Sequence, residues 1–311
     1  MRNDAAMAVL TRTVPELANW RAYLALCKPK VVALLVFTAM VGMFLAVPGL
    51  VPFQPFVLGT VGIALASASA AALNHVLDRE ADARMKRTGR RPLPTGALDT
   101  TRSIAFAAVV AAVAMFILAA WVNVLTAVLT FASMIGYAVI YTLFLKRATP
   151  QNIVIGGAAG AMPPVLGWAA ITGEVHAHAL LLFLIIFVWT PPHFWALALH
   201  KRDEYANVDI PMLPVTHGEA LTRLHILLYT ILLVLVTIMP FLVGMSGPLY
   251  LAVALVLGGR FLLHAWRLWR RAEDGQAIRT FLYSITYLMG LFAGLLLDHY
   301  LPLIISGLQG A

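Results

Sequence analysis

The sequence predicts an all-α polytopic membrane protein, with about nine transmembrane helices in a bundle whose central cavity opens near the cytoplasmic face. Two observations predict this class. Of the 311 residues, 61% are hydrophobic and 12% charged, where a soluble domain carries roughly 25% charged residues. The apolar residues also fall into runs close to the ~20 residues that cross a bilayer. A third observation, the placement of lysine and arginine, orients the bundle.

Residues 1–27 are read as a cytoplasmic N-terminal segment. It holds Arg2, Arg12 and Arg21 but no apolar run followed by a small-residue cleavage site, so the first span is expected to be its own insertion signal. Spans are expected at about 30–48, 55–77, 102–120, 122–144, 152–172, 179–200, 222–244, 248–268 and 280–304. Pro48, Pro52 and Pro55 break the chain after the first span, Gly173 after the fifth, and Gly244 to Pro248 after the seventh. Only a short turn near Trp121 and Asn123 parts the third from the fourth. Residues 28–305 form one transmembrane domain and 306–311 a C-terminal tail.

With the N-terminus inside, 21 of the 22 basic residues fall on inner segments and their helix ends, Arg260 in the eighth span being the other. Insertion favours lysine and arginine in cytoplasmic loops, so the N-terminus is placed inside and the C-terminus outside. The net charge of +8 is thereby explained by topology and anionic lipid rather than by nucleic acid. The lone Cys27 excludes an intrachain disulfide and a cysteine-rich metal site.

Charge is concentrated in NHVLDREADARMKRTGRRPLPTG, residues 74–96, which holds nine charged side chains. Asn74, Asp78 and Asp82 are spaced i, i+4, i+8, positions that share one helical face with a drift of about 40° per step. Glu80 falls off that stripe. Like charges so spaced destabilise a helix unless something neutralises them. Mg²⁺ does so, favouring carboxylate oxygens and sharing its shell with substrate phosphates.

A second acidic patch, HKRDEYANVDIPMLP at 200–214, offers Asp203, Glu204 and Asp209 beside Lys201 and Arg202. It lies four spans further on and on the same side. The tails RPLPTG (91–96) and PMLPVTHG (211–218) are alike, pointing to a pseudo-repeat of spans one to four and five to eight with the ninth added. Two acidic sites ringed by cations suit a diphosphate: metal covers its oxygens and the cations neutralise the leaving group. An oily remainder would lie among the helices, so prenyl diphosphate chemistry is predicted.

These residues resemble a known family. NxxxDxxxD followed by Met85, Arg87, Thr88, Arg91, Pro92, Leu93 and Gly96 is similar to the intramembrane aromatic prenyltransferase superfamily. YTLFLKRATPQNIVIGGAAGAMPPVLGW (141–168), WTPPHFWALAL (189–199), DEYANVDIPMLPV (203–215) and LALCKPKVV (24–32) resemble its heme-farnesylating branch. The resemblance spans roughly residues 20–300. It departs from the wider superfamily at the second DxxxD, since Asn207 stands four residues after Asp203. Asp203, Glu204 and Asp209 therefore all stand as second-site metal donors, with Asp203 and Glu204 preferred.

The resemblance implies an enzyme of a bacterial inner membrane that is dependent on Mg²⁺, with Mn²⁺ as the alternative ion. It would transfer the farnesyl group of farnesyl diphosphate to a vinyl group of heme b, a substrate rather than a cofactor. Water addition would give heme O and diphosphate. Asn74, Asp78, Asp82, Asp203 and Glu204 are the implied metal ligands, the four acids being the catalytic set. Lys28, Arg87, Arg91, Lys146, Arg147, Lys201, Arg202 and Tyr205 are the implied diphosphate ligands. Tyr141, Trp168, Phe194 and Trp195 offer aromatic faces to an allylic cation, although packing is the ordinary role of such residues.

His193 in PPHFW, with Trp195, is the expected heme contact; the alternative for an intramembrane histidine is interhelical hydrogen bonding. His176 and His178 fall on the outer side. The small-residue run GGAAGA (156–161) allows close helix approach or leaves room for a flat macrocycle. A heme A synthase or a terminal oxidase is the implied partner. Two other readings stand beside this one. A quinone precursor such as 4-hydroxybenzoate is disfavoured as acceptor by PPHFW and DEY. A membrane transporter is disfavoured because its ionisable groups would sit near the midplane.

Overall fold

The computed structural model describes residues 20–309 except 272 and 274, with side chains as far as 305. The described residues are helical, without strands. A short α1 (Trp20–Leu26) meets α2 (Pro29–Leu45) at a bend of 53°. Pro29 starts α2, and Lys28 before it adopts left-handed backbone at φ 48°. There follow α3 (Phe53–Leu77), α4 (Arg79–Arg84), α5 (Thr100–Trp121) and α6 (Val124–Ala148). Next come α7 (Asn152–Ala161), α8 (Pro163–Thr172), α9 (Ala177–His200), α10 (Arg202–Ala206) and α11 (Leu213–Thr216). The chain closes with α12 (Gly218–Leu242), α13 (Pro248–Arg270) and α14 (Gln276–Gln309).

Among the described residues, eight helical units are long and apolar enough to cross a membrane, α7 and α8 together counting as one, and the bent α1–α2 pair makes a ninth. Each falls on a segment expected from the sequence. The ends differ: residues 20–26 of the expected N-terminal segment are helical, and α14 runs through the expected tail to Gln309. Residues 1–19 and 310–311 of those two segments lie outside the described residues.

Neighbouring spans pack in order, α3 on α5, α9 on α12, α12 on α13 and α13 on α14, and the ring closes where α14 meets α2. The main core gathers Leu182, Ile185 and Trp189 of α9 with Phe261 of α13 and Tyr287 and Phe292 of α14. Away from the charged cluster, Asp298 accepts the backbone N–H groups of Gly247 and Tyr250, capping α13 from a different helix.

The first half is joined to the second by α2 against α8. A Cβ on Gly42 would overlap the Pro164 carbonyl, and one on Gly167 would overlap that of Ala39. Because both neighbours are backbone, neither can swing aside. Gly167→Ala is expected to cost about 3 kcal/mol of stability. Gly160→Ala, at a helical position with nothing within 4 Å, is the neutral control. Thermal unfolding in detergent checks the pair, and equal melting temperatures would contradict the close contact. In the GGAAGA run, Gly157 makes room for Thr190 of α9 and Gly156 for the Tyr141 ring.

Candidate active site

The Asn74, Asp78, Asp82 stripe survives a break in its helix. α3 ends at Leu77 and Asp78 links it to α4 with φ −90° and ψ 0°. The Asp78 N–H still donates to the Asn74 carbonyl (2.9 Å), and the Asp82 N–H to that of Asp78 (2.8 Å). The i, i+4 register therefore runs through the break. All three residues are buried, at 4%, 5% and 4% exposure.

Each is held by a cation from another element. Lys28, at the α1–α2 bend, donates to Asn74 Oδ1 at 2.5 Å. Lys146, at the end of α6, meets Asp78 Oδ2 at 2.6 Å. Arg91, in the loop after α4, meets Asp82 Oδ2 at 2.6 Å. Asn74 Nδ2 donates to Asp78 Oδ2 (2.9 Å) and to Thr142 Oγ1 (3.2 Å), joining α3 to α6.

The backbone of α6 explains how Lys146 arrives there. Gly136–Leu145 winds as a π-helix, and the Lys146 N–H bonds the Tyr141 carbonyl five residues back. Thr142 Oγ1 likewise donates to the Tyr137 carbonyl at 2.8 Å. Such wider turns are uncommon and mark functional sites. Here the wider turn presents Thr142 and Lys146 to α3 together, while Tyr137 and Tyr141 stack at 5.8 Å between ring centroids. Thr142 is a member of the cluster that sequence reasoning missed.

In the second patch, Glu204 pairs with Lys201 at 2.9 Å. That hydrogen bond holds the Glu204 carboxyl below its usual range, with Arg87 assisting and burial opposing. Tyr205 is buried, which raises its phenol, and Arg87 also bears on it. Arg87 thus bridges the loop after α4 to α10. Tyr141 lies within electrostatic reach of both Asp78 and Tyr205.

Five expected residues stand apart. Asp203 is exposed and joins none of the cluster's hydrogen bonds or ion pairs, because the phase of α10 that turns Tyr205 inward turns Asp203 outward. Arg202 turns to Glu219 at 3.3 Å. Arg147 follows Lys146 by one helical step and is exposed. Trp168 stacks on His176 at 5.3 Å, at the far end of the bundle. Phe194 is 40% exposed, leaving Tyr141 as the expected aromatic face beside the stripe.

His193 is buried, with Nδ1 2.6 Å from Ser284 Oγ and its ring stacked on Trp189 and Phe281 at 4.2 and 4.5 Å. One nitrogen and much of its face are engaged within the protein. Trp195 is fully buried in a cluster with Tyr205, Ile226 and Leu268.

Among the described residues no three His, Cys, Asp or Glu side chains converge as a preformed metal cage. The donors nevertheless fit Mg²⁺. The stripe supplies only oxygen donors, two carboxylates and an amide, and ammonium and guanidinium groups now supply the positive charge that they require.

A buried aspartate stripe at one end of a helical bundle, faced by cations from three separate segments, is an arrangement that suits an intramembrane prenyltransferase. Residues 35–292 match the UbiA prenyltransferase family, and the chain belongs to that family. The protoheme IX farnesyltransferase of Methylococcus capsulatus is 65% identical to it over 285 residues, covering 92% of this chain and 96% of that protein. The protoheme IX farnesyltransferase of Nitrosococcus oceani is 60% identical over 296 residues, covering 95% and 99%. Solved structures share the fold at low identity. A digeranylgeranylglyceryl phosphate synthase has a TM-score of 0.75 at 15% identity, covering 90% of this chain and 98% of that one. A UbiA homolog from Archaeoglobus fulgidus bound to DMAPP and Mg²⁺ has a TM-score of 0.60 at 18% identity, covering 88% and 98%.

Proposed function

We propose that the chain transfers the farnesyl group of farnesyl diphosphate to a vinyl group of heme b, giving heme O and diphosphate. The observation that carries the chemistry is the buried Asn74–Asp78–Asp82 stripe with Lys28, Arg91 and Lys146 upon it. Similarity to proteins named protoheme IX farnesyltransferase supports heme b as the acceptor.

Asn74, Asp78 and Asp82 would hold Mg²⁺, which neutralises the diphosphate oxygens when bound, with Mn²⁺ as its substitute. Glu204 is the preferred second-site donor, and Asp203 would have to turn inward to join it. Lys28, Arg91 and Lys146 exchange their side-chain partners for phosphate oxygens, with Arg87, Lys201 and Tyr205 on the other side of the group. The C1–O bond of the prenyl chain breaks and its electron pair leaves with diphosphate. The vinyl carbon attacks C1, and Tyr141 presents its ring face to the allylic cation. Water adds to the cation left beside the porphyrin and loses a proton, completing the hydroxyethylfarnesyl side chain. His193 and Trp195 are proposed as heme contacts, His193 through Nε2.

The basic residues support placing the charged end at the cytoplasmic face of a bacterial inner membrane, with the N-terminus on that side. Lipid surrounds the spans, and a heme A synthase or terminal oxidase is the proposed recipient of the product. The test is incubation of the purified chain with heme b, farnesyl diphosphate and Mg²⁺, followed by mass spectrometry of extracted hemes. Heme gaining one farnesyl group and one hydroxyl group is expected. Transfer to 4-hydroxybenzoate with heme unchanged would sink the acceptor assignment.

A further inference from the structure

His75 follows Asn74 on α3 and has no part in the chemistry so far. The residue is 3% exposed, and neither Nδ1 nor Nε2 has a hydrogen-bond partner among the described residues. Folded proteins seldom leave a buried polar group unmatched unless a ligand or water completes it. The charges that bear on this ring are those of Lys28 and Arg91, both positive, with no carboxylate among them. An anion is the occupant that such surroundings favour.

The position adjoins the metal stripe. Lys28 also reaches Asn74, and Arg91 also reaches Asp82. On α3 the His75 side chain projects about 100° round from Asn74. An anion held by His75, Lys28 and Arg91 therefore abuts the carboxylate stripe without competing for its oxygens.

We propose that His75 is a substrate-binding residue whose ring N–H donates to a non-bridging oxygen of the prenyl diphosphate, between Lys28 and Arg91. The assignment rests on the proposed function above. It gives the diphosphate a further donor beside the lysine and arginine.

The full-length chain in detergent tests it, with calorimetric titration of inorganic pyrophosphate in the presence of Mg²⁺ and spectroscopic titration of hemin. His75→Phe is expected to weaken pyrophosphate binding about tenfold, in line with loss of one charge-assisted hydrogen bond. His75→Gln keeps an N–H donor and is expected to stay within about threefold of wild type. Hemin affinity is expected to be equal in all three. Should His75→Phe fail to fold, His75→Met supplies the donorless arm. Pyrophosphate affinity unchanged in the donorless variant, or a loss confined to hemin, overturns the role of His75 alone. A wild-type chain that binds no pyrophosphate with Mg²⁺ overturns the proposed function and this inference with it.

Discussion

Asp78→Asn is expected to abolish prenyl transfer and also to lower the stability of the folded chain by about 3 kcal/mol. The second effect follows from Lys146. The Lys146 side chain is 14% exposed, and its ammonium lies 2.6 Å from the carboxylate of Asp78, whose side chain is 7% exposed. Removing one member of a pair so well buried strands the other charge, which costs more than the pair itself contributed. Loss of activity could then be mistaken for loss of fold. Asp78→Asn combined with Lys146→Met removes both charges and is expected to regain most of the melting temperature without regaining product. Near wild-type turnover in either variant would take Asp78 out of the site. The same change at Asp82 strands Arg91, which is 23% exposed, so a smaller stability loss is expected there.

Metal and diphosphate are expected to bind as a coupled pair. In the protein alone, Asp78 and Asp82 already have cations, so a divalent ion must displace them. The freed lysine and arginine need an anion, and a diphosphate supplies one. Mn²⁺ titrated by electron paramagnetic resonance is therefore expected to bind weakly alone and at least about tenfold more tightly with pyrophosphate present. Pyrophosphate must gain the same factor from the metal, because coupling of two binding equilibria is reciprocal. Lys146→Met is expected to shrink that factor by freeing Asp78 in advance. Equal Mn²⁺ affinities with and without pyrophosphate would show that the ion pairs do not gate the site.

Much of this was legible in the sequence because it depends on run length and helical phase. Apolar runs fix where helices can span, and the spacing of Asn74, Asp78 and Asp82 is a property of any helix that carries them. The partners were less legible. Nothing in GYAVIYTLFL distinguishes a π-turn from an α-turn, so the delivery of Thr142 and Lys146 to α3 was hidden. A short helix after a break has no phase that the preceding span dictates, so Asp203 and Glu204 could not be ranked before α10 was placed. Trp168 and Tyr141 are both aromatic residues in the same motif, but they sit at opposite ends of the bundle. Their depths depend on the course of α6 and α8 rather than on residue type. His75 lies about 100° round the helix from the Asn74 stripe, and only the packed interior shows that its ring nitrogens are unmatched.

The contact between α2 and α8 limits how far the two halves of the bundle can shift against each other. Main chain lies against main chain at Gly42 and Gly167, with no side chain to act as a cushion. A seam of that kind has no slack for one half to rock over the other, as an alternating-access carrier requires.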